Sequence, residues 1–267
     1  MFIIDGVPID AKQVCKEVKK GTLFSNKERI KKLKLKEQSK IDDIMSICQR
    51  IFNYDSFSNT FRKLLLSAMH VNVCPYCNRQ YITSYIEQGT LQATADIDHF
   101  YAKDHYPFLA ISLFNFVPSC TICNSRLKHT LDFYVIPHIN PHNNEFGNRA
   151  VFRLRNISSI TCKDELPDIY IECLENDEEL ANSIRTFRLE SIYNASHKDF
   201  VRDLITKAQI FSDQQLQEYL DLFDGLFQDE NEMRRIIYGA YLQNDQLGFR
   251  PMSKLSRDIL LDLSIKI

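Results

Sequence analysis

The sequence lacks any apolar run long enough to span a bilayer. Its first residues, Met1-Phe2-Ile3-Ile4-Asp5, lack the basic start and long apolar stretch of a secretory leader. Internal repeats and low-complexity tracts are missing too. These absences argue against a membrane protein and a repeat array, and they predict a soluble globular chain in a reducing cytoplasm. Glycine and proline are scarce, 7 and 8 in 267 residues. The prolines concentrate in 75–141, which marks the centre as the irregular part. Eight cysteines in a reducing compartment point to metal ligands or free thiols rather than disulfides.

The net charge of −2 hides an asymmetry. Between Lys12 and Lys40 eleven Lys and Arg face three acids, Glu17, Glu28 and Glu37, so this stretch is +8 and the remainder is −10. A basic arm on an acidic body suits nucleic acid. It equally suits the solvated face of a helix or a surface for an acidic partner.

Hydrophobic spacing predicts a mostly helical α+β chain in three regions. Residues 1–70 read as helical: Ile41, Ile44, Met45, Cys48, Ile51 and Phe52 recur at helical spacing behind Ser39 as N-cap. Phe61, Leu64, Leu65, Ala68 and Met69 form a second stripe, and both stripes are expected to pack in the core. Residues 71–150 hold the irregular centre. Residues 151–267 begin with short strands around Val151, Phe152 and Leu154 and around Ile169, Tyr170 and Ile171. Three helical stripes follow: Phe200 to Ala208, Leu216 to Phe227 opened by a capping box at Ser212 and Gln215, and Met233 to Tyr241. This last region carries no cluster of catalytic residue types and is expected to be scaffold or partner surface.

The chemistry concentrates in the centre. Cys74-Pro75-Tyr76-Cys77 and Cys120-Thr121-Ile122-Cys123 are two CxxC turns with 42 residues between them. Each turn presents two thiolates to one ion, and four close a tetrahedral structural zinc site. Polar turn formers (Asn78, Ser119, Asn124) flank them, which disfavours four idle core thiols. No βαβ pattern surrounds either pair, which disfavours a thioredoxin-like role. Between the turns, 79–86 and 90–98 read as a hairpin about Gln88-Gly89, whose second strand delivers Asp98-His99 at its end. Asn115 lies in the following loop. Asn124 and Lys128, four apart, share a helix face. A neutral histidine can activate water, and a hard cation on Asp98 and Asn124 can offset phosphate charge.

Asp96, Asp98, His99, Asn115, Asn124 and Lys128, together with the four cysteines, resemble the HNH (ββα-metal) endonuclease motif, closest to the version held by two CxxC knuckles. The resemblance implies a ββα-metal core and cleavage of DNA phosphodiester bonds. It implies His99 as general base, Asn115 as the residue that orients His99, and Asp98 and Asn124 as ligands of Mg²⁺ or Mn²⁺. Asp96 supports the hairpin or the metal's surroundings, and Lys128 and Arg126 hold a phosphate oxygen. Asn124 stands where some members carry a third histidine, which favours an oxygen-liganded ion. Asp96-Ile97-Asp98-His99-Phe100-Tyr101, Tyr106-Pro107-Phe108-Leu109-Ala110, Leu189–Asn194 and Pro251–Ile259 are similar to the PtuB-type HNH subunit of Septu and retron-associated antiphage modules. That likeness implies an ABC/SMC-like ATPase partner of the PtuA type. Two alternatives use the same residues: an RNA or tRNA nuclease, and a zinc-stapled adaptor with an inactive site. Cys15, Cys48, Cys162 and Cys173 stand alone and read as packing or incidental thiols. His105 and His129 read as surface residues, and His138 and His142 as loop histidines. Nothing in the sequence assigns Tyr101 or Lys103.

Overall fold

The computed structural model describes residues 2–4, 7–9, 35–142, 146–147, 149–155, 166–174, 176–223 and 225–265. Most of the basic stretch from Lys12 to Lys40, with Cys15 and Cys162, lies outside the described residues.

The chain opens with a short antiparallel pair, β1 Phe2–Ile4 and β2 Val7–Ile9. Helix α1 Leu35–Ile51 begins four residues before the expected cap, so Ser39 lies within it. Helix α2 Asn59–Ala68 is capped by Ser58, whose hydroxyl accepts from the Phe61 amide. The stripes on these helices are not core. Leu66 is the buried side chain of α2, while Ile51, Phe61 and Leu64 are about half exposed or more. The physical reason is what they pack against. α2 lies on a two-stranded hairpin and α1 on a single turn at Pro107–Leu109, too little surface to cover both sides of either helix.

The hairpin is β3 Ser84–Glu87 and β4 Thr90–Ala93, with Gln88 and Gly89 both at positive φ as a two-residue turn of this twist requires. It ends earlier than the alternation suggests. The chain breaks at Thr94 and Ala95, and Asp96–His99 forms a separate strand, β5. This strand pairs antiparallel with β6 Phe116–Ser119 rather than with β3. A seven-residue π-helical segment, Ile122–Lys128, follows β6 directly. The central order is therefore strand, loop, strand, short helix, with the loop over 100–115.

The C-terminal region contains the two expected strands and a helix on each of the three expected stripes. The helix on the Leu216 stripe ends at Leu222, short of Phe227, and further helices flank the three. β7 Ala150–Leu154 pairs with β8 Ile169–Cys173. Helices α3 Glu178–Thr186, α4 Leu189–Ser196, α5 Lys198–Ile210, α6 Asp213–Leu222 and α7 Glu230–Tyr238 follow. The capping box at Ser212 and Gln215 opens α6. The α7 stripe stops sooner than expected, at Tyr238, because Gly239 turns left-handed at φ 70°. A last helix, α8 Ser253–Asp262, buries every residue from Ser253 to Leu260. One continuous core joins Cys74, Phe133 and Val117 of the centre to Phe152, Tyr193, Leu204 and Ile259 beyond it. Among the described residues no helix is long and apolar enough to cross a membrane.

Burying all of α8 brings charge inside. Asp258 accepts from the Phe152 amide at 3.0 Å and from the Lys254 ammonium, and Lys254 also donates to the Ala150 carbonyl at 2.8 Å. The pair thereby fastens α8 to the edge of β7. Asp258→Ala strands the Lys254 charge in the core and is expected to lower stability by about 3–5 kcal/mol. Urea denaturation measures this, and a loss below about 1 kcal/mol would show that the pair does not hold α8.

Candidate metal centre

The four knuckle cysteines converge. Cys74 and Cys77 lie on a turn closed by bonds from the Cys77 and Asn78 amides to the Cys74 carbonyl, at 3.3 and 2.8 Å, with Asn78 left-handed at φ 49°. The buried Tyr193 hydroxyl donates to the Cys77 carbonyl at 2.8 Å, which anchors the turn to α4. Cys120 leaves β6, its amide donates to the Cys74 sulfur at 3.4 Å, and Cys123 lies on the first turn of the π-helical segment. The four sulfurs are buried and lie within 4.8 Å of one another. A tetrahedral zinc with Zn–S near 2.3 Å needs sulfurs about 3.8 Å apart, so the cluster fits a four-thiolate ion. Hydrogen bonds from Cys123, Cys74 and Cys77 hold Cys120 well below the ordinary thiol range. Bonds with Cys120, Cys74 and Cys77 push Cys123 well above it. Thiols this close cannot all ionise unless a cation offsets their charge, which a bound metal ion would do. Cys48 is half-buried and Cys173 exposed, both away from this cluster.

The cluster joins the Cys74–Cys77 turn to the end of β6 and the π-helical segment, and two pairs meet between that segment and β5. Asp96 and Asp98, two apart on a strand, share its face. Asn124 Nδ2 donates to Asp96 Oδ2 at 3.4 Å. Lys128 Nζ donates to both oxygens of Asp98, at 2.7 and 2.8 Å, and to the His99 carbonyl at 2.5 Å. The Tyr76 hydroxyl, from inside the first knuckle, donates to Asp98 Oδ2 at 2.6 Å. Lys128 is 2% exposed and Asp98 5%. The ammonium also lies 4.6 Å from the centre of the Phe133 ring. Burial pushes the Lys128 ammonium below its ordinary value, against the pull of Asp98, and burial pushes the Tyr76 phenol well up.

The structure places Lys128 in the core, where it neutralises Asp98 rather than reaching solvent, and Arg126 is the exposed cation of this segment. Both Asp98 oxygens accept from protein donors, and Asn124 Nδ2 donates to Asp96.

His99 lies on the opposite face of β5. Its ring meets Tyr54 edge-on at 4.5 Å and Phe116 at 5.1 Å. Nε2 is 2.9 Å from the Ala110 carbonyl. A carbonyl only accepts, so Nε2 carries the proton and Nδ1 keeps a lone pair. Burial lowers the His99 pKa below the usual imidazole value, with the Ala110 bond opposing. The Asn115 side chain bonds the loop rather than His99. Its Oδ1 accepts from the Tyr101 amide at 2.7 Å, and its Nδ2 donates to the Tyr101 and Leu109 carbonyls at 3.0 and 3.1 Å. It staples the loop whose Ala110 carbonyl holds His99, so it acts on His99 through the backbone. Tyr76, Tyr54 and Ala110 are neighbours of the site that sequence reading missed. A tyrosine inside a CxxC turn was the available signal for Tyr76. A backbone carbonyl leaves none.

The other histidines do local work. His138 is buried, stacks on Phe133 at 3.8 Å, and bonds the Ile136 carbonyl and the Thr186 hydroxyl. His142 Nε2 donates to the Phe116 carbonyl at 2.6 Å. His105 is half-buried, with Nδ1 3.4 Å from Asp132, and His129 is exposed. Lys103 bonds Asp55 at 2.7 Å, beside Tyr54.

No family model matches the chain, and no solved structure matches it. An 81-residue stretch is 37% identical to a Bacillus thuringiensis protein named Septu protein PtuB. The stretch is 30% of this chain and covers 28% of that protein's length.

Elemental analysis is expected to give about one zinc per chain, and chelation to unfold the centre, because four-thiolate zinc supplies much of such a segment's folding free energy. A melting curve unchanged after zinc removal would sink this assignment. The buried pair makes a separate prediction. Lys128→Met is expected to cost about 3 kcal/mol or more by leaving Asp98 charged and unmatched. Adding Asp98→Asn is expected to recover most of that loss, and two additive losses would show that the pair is not coupled.

Proposed function

We propose that the chain is an HNH-type endonuclease that hydrolyses phosphodiester bonds in DNA, with zinc as a structural staple. In this reading it acts in antiphage defence beside an ABC/SMC-like ATPase. The observation that carries the reading is His99. It stands at the end of β5, its Nε2 proton is committed to the Ala110 carbonyl, and its Nδ1 lone pair remains available to accept a proton. The succession of β5, loop, β6 and short helix on a four-cysteine cluster supports it, as does the partial likeness to the protein named PtuB.

The chain's own residues have assignable parts. His99 Nδ1 takes the proton of the attacking water. The Ala110 carbonyl fixes the ring and its tautomer, and Asn115 fixes the loop that carries Ala110. The rings of Tyr54 and Phe116 exclude water from two sides of the imidazole and favour its neutral form. Exposed Arg126 lies on the same short helix as Asn124 and suits contact with the nucleic-acid backbone. Phosphodiester hydrolysis of this class uses Mg²⁺ or Mn²⁺ to offset charge. Its expected ligands Asp98 and Asn124 bond Lys128, Tyr76 and Asp96 in this conformation. That engagement is also the observation that favours the second reading, a zinc-stapled adaptor with an inactive site.

The test is plasmid cleavage in Mg²⁺ by the full chain, alone and with an ABC/SMC-like ATPase of the proposed partner class. His99→Ala is expected to lose roughly 10²–10⁴ in rate while keeping its zinc and its melting temperature. Asn115→Ala is expected to slow cleavage and also to loosen the loop, read as faster amide exchange at Tyr101. Burial depresses the His99 pKa, so the base is neutral at lower pH than a free imidazole. The acidic limb of the rate profile is therefore expected below about pH 6.5. Cleavage of RNA but not DNA would change the substrate class. No cleavage of either, with and without the ATPase, would favour the adaptor.

A further inference from the structure

A cavity of about 480 Å³ opens where the centre meets the C-terminal elements. The first cysteine turn forms one side of it, and α3, α4 and the turn over 244–248 line another. Asn78 ties these sides together. Its Nδ2 donates to the Leu247 carbonyl at 2.9 Å, and its Oδ1 accepts from the Lys254 amide at 3.2 Å. Its backbone carbonyl accepts from the Met252 amide at 2.8 Å. Directional bonds thus hold the space open. Its volume falls in the range of small-molecule sites, roughly 300–1,000 Å³, and such sites favour the junction between regions.

The lining sets the chemistry of a guest. Two aromatic pairs contribute to it. Tyr76 stacks on Phe187 with ring centres 4.4 Å apart, and Phe152 meets Tyr193 at 4.6 Å. Rings of this kind favour a flat aromatic partner, offset or edge-on. The one buried charge in the lining is Lys254, 5% exposed. An ammonium has three N–H donors. Two of them meet the Ala150 carbonyl at 2.8 Å and Asp258. The third has no acceptor among the described residues. Asp258 already balances the Lys254 charge, and exposed Asp245 adds a negative charge to the lining. The unmet need is therefore one neutral acceptor, and an anion is disfavoured.

We propose that this cavity binds an uncharged, planar aromatic molecule that carries one acceptor, a ring carbonyl or ring nitrogen, for the free Lys254 donor. Tyr76 belongs to both sites: its ring lines the cavity and its hydroxyl bonds Asp98. The proposal is independent of the nuclease reading and is decided by binding alone.

Methyl NMR titration of the full chain tests it, with four probes built on one skeleton of two fused six-membered rings. 4-Quinolone is flat, uncharged and carries one carbonyl. Naphthalene lacks the acceptor, 4-quinolone-2-carboxylate adds an anion, and 1-decalone keeps the carbonyl but is not flat. 4-Quinolone is expected to shift the methyls of Val71, Ile139 and Leu189, all in the lining, and to saturate. Naphthalene is expected to bind roughly fivefold more weakly, the worth of one hydrogen bond. The carboxylate and the decalone are each expected to bind roughly tenfold more weakly or worse. Gly248 supplies a blocking variant. It lines the cavity, and a side chain begun there meets no atom within 4 Å. Gly248→Trp is expected to keep its melting temperature and to lose roughly tenfold or more in affinity. Should it fail to fold, Val71→Phe, which narrows the cavity from another wall, takes its place. The site is overturned by an absence of saturable shifts at those three methyls, or by unchanged affinity in a folded blocking variant. Carboxylate or decalone bound as tightly as 4-quinolone overturns the uncharged or the planar class. Naphthalene bound as tightly overturns the part given to Lys254.

Discussion

Cys74 and Cys120 lie 46 residues apart, yet the amide of one meets the sulfur of the other. Four buried sulfurs within 4.8 Å form an arrangement that thiols alone do not favour, because charge crowds and sulfur has few good hydrogen bonds to offer. A bound cation would resolve the crowding, and the neighbouring elements are positioned around the four sulfurs. The first knuckle sets where Tyr76 points. The second sets where β6 ends and the short helix begins. β5 pairs with β6, so Asp98 arrives between Tyr76 and Lys128 because two sulfur pairs hold their strands and turns together.

The centre and the C-terminal region share one core, and each imports a buried lysine–carboxylate pair. Lys128–Asp98 fastens the short helix to β5, and Lys254–Asp258 fastens α8 to β7. Such pairs add little net stability, because desolvation offsets most of their attraction. What they add is specificity of position. A charged group has one acceptable place in an apolar interior, whereas a leucine has several. Tyr193 works to the same end, bridging α4 to the Cys77 carbonyl. The scaffold thus meets the cysteine cluster through directional bonds as well as packing.

The two faces of β5 divide the site. One carries Asp96 and Asp98 toward the short helix. The other carries His99 into a cage of Tyr54, Phe116 and the Ala110 carbonyl. Adjacent residues on a strand diverge, so a histidine base and a carboxylate at neighbouring positions address different sides. Tyr54 comes from the turn between α1 and α2, which ties the N-terminal helices to His99 although their apolar stripes stay largely exposed.

The sequence by itself determined the two CxxC turns, the residues between them, the hairpin turn at Gln88-Gly89, the strands at 150–154 and 169–173, and the helices on the stripes from Phe200, Leu216 and Met233. These features are local. Spacing, turn chemistry and alternation act over a few residues and need no partner to be read. Tertiary structure decided the rest. Alternation from Thr90 to Asp98 reads as one strand, and only pairing with Phe116–Ser119 shows that it is two. Periodicity marks apolar faces on α1 and α2, but burial depends on what lies opposite, and little does. Lys128 is indistinguishable in sequence from a solvated helix lysine. Whether its charge meets water, phosphate or Asp98 depends on a contact with a residue thirty positions earlier, which no local pattern encodes.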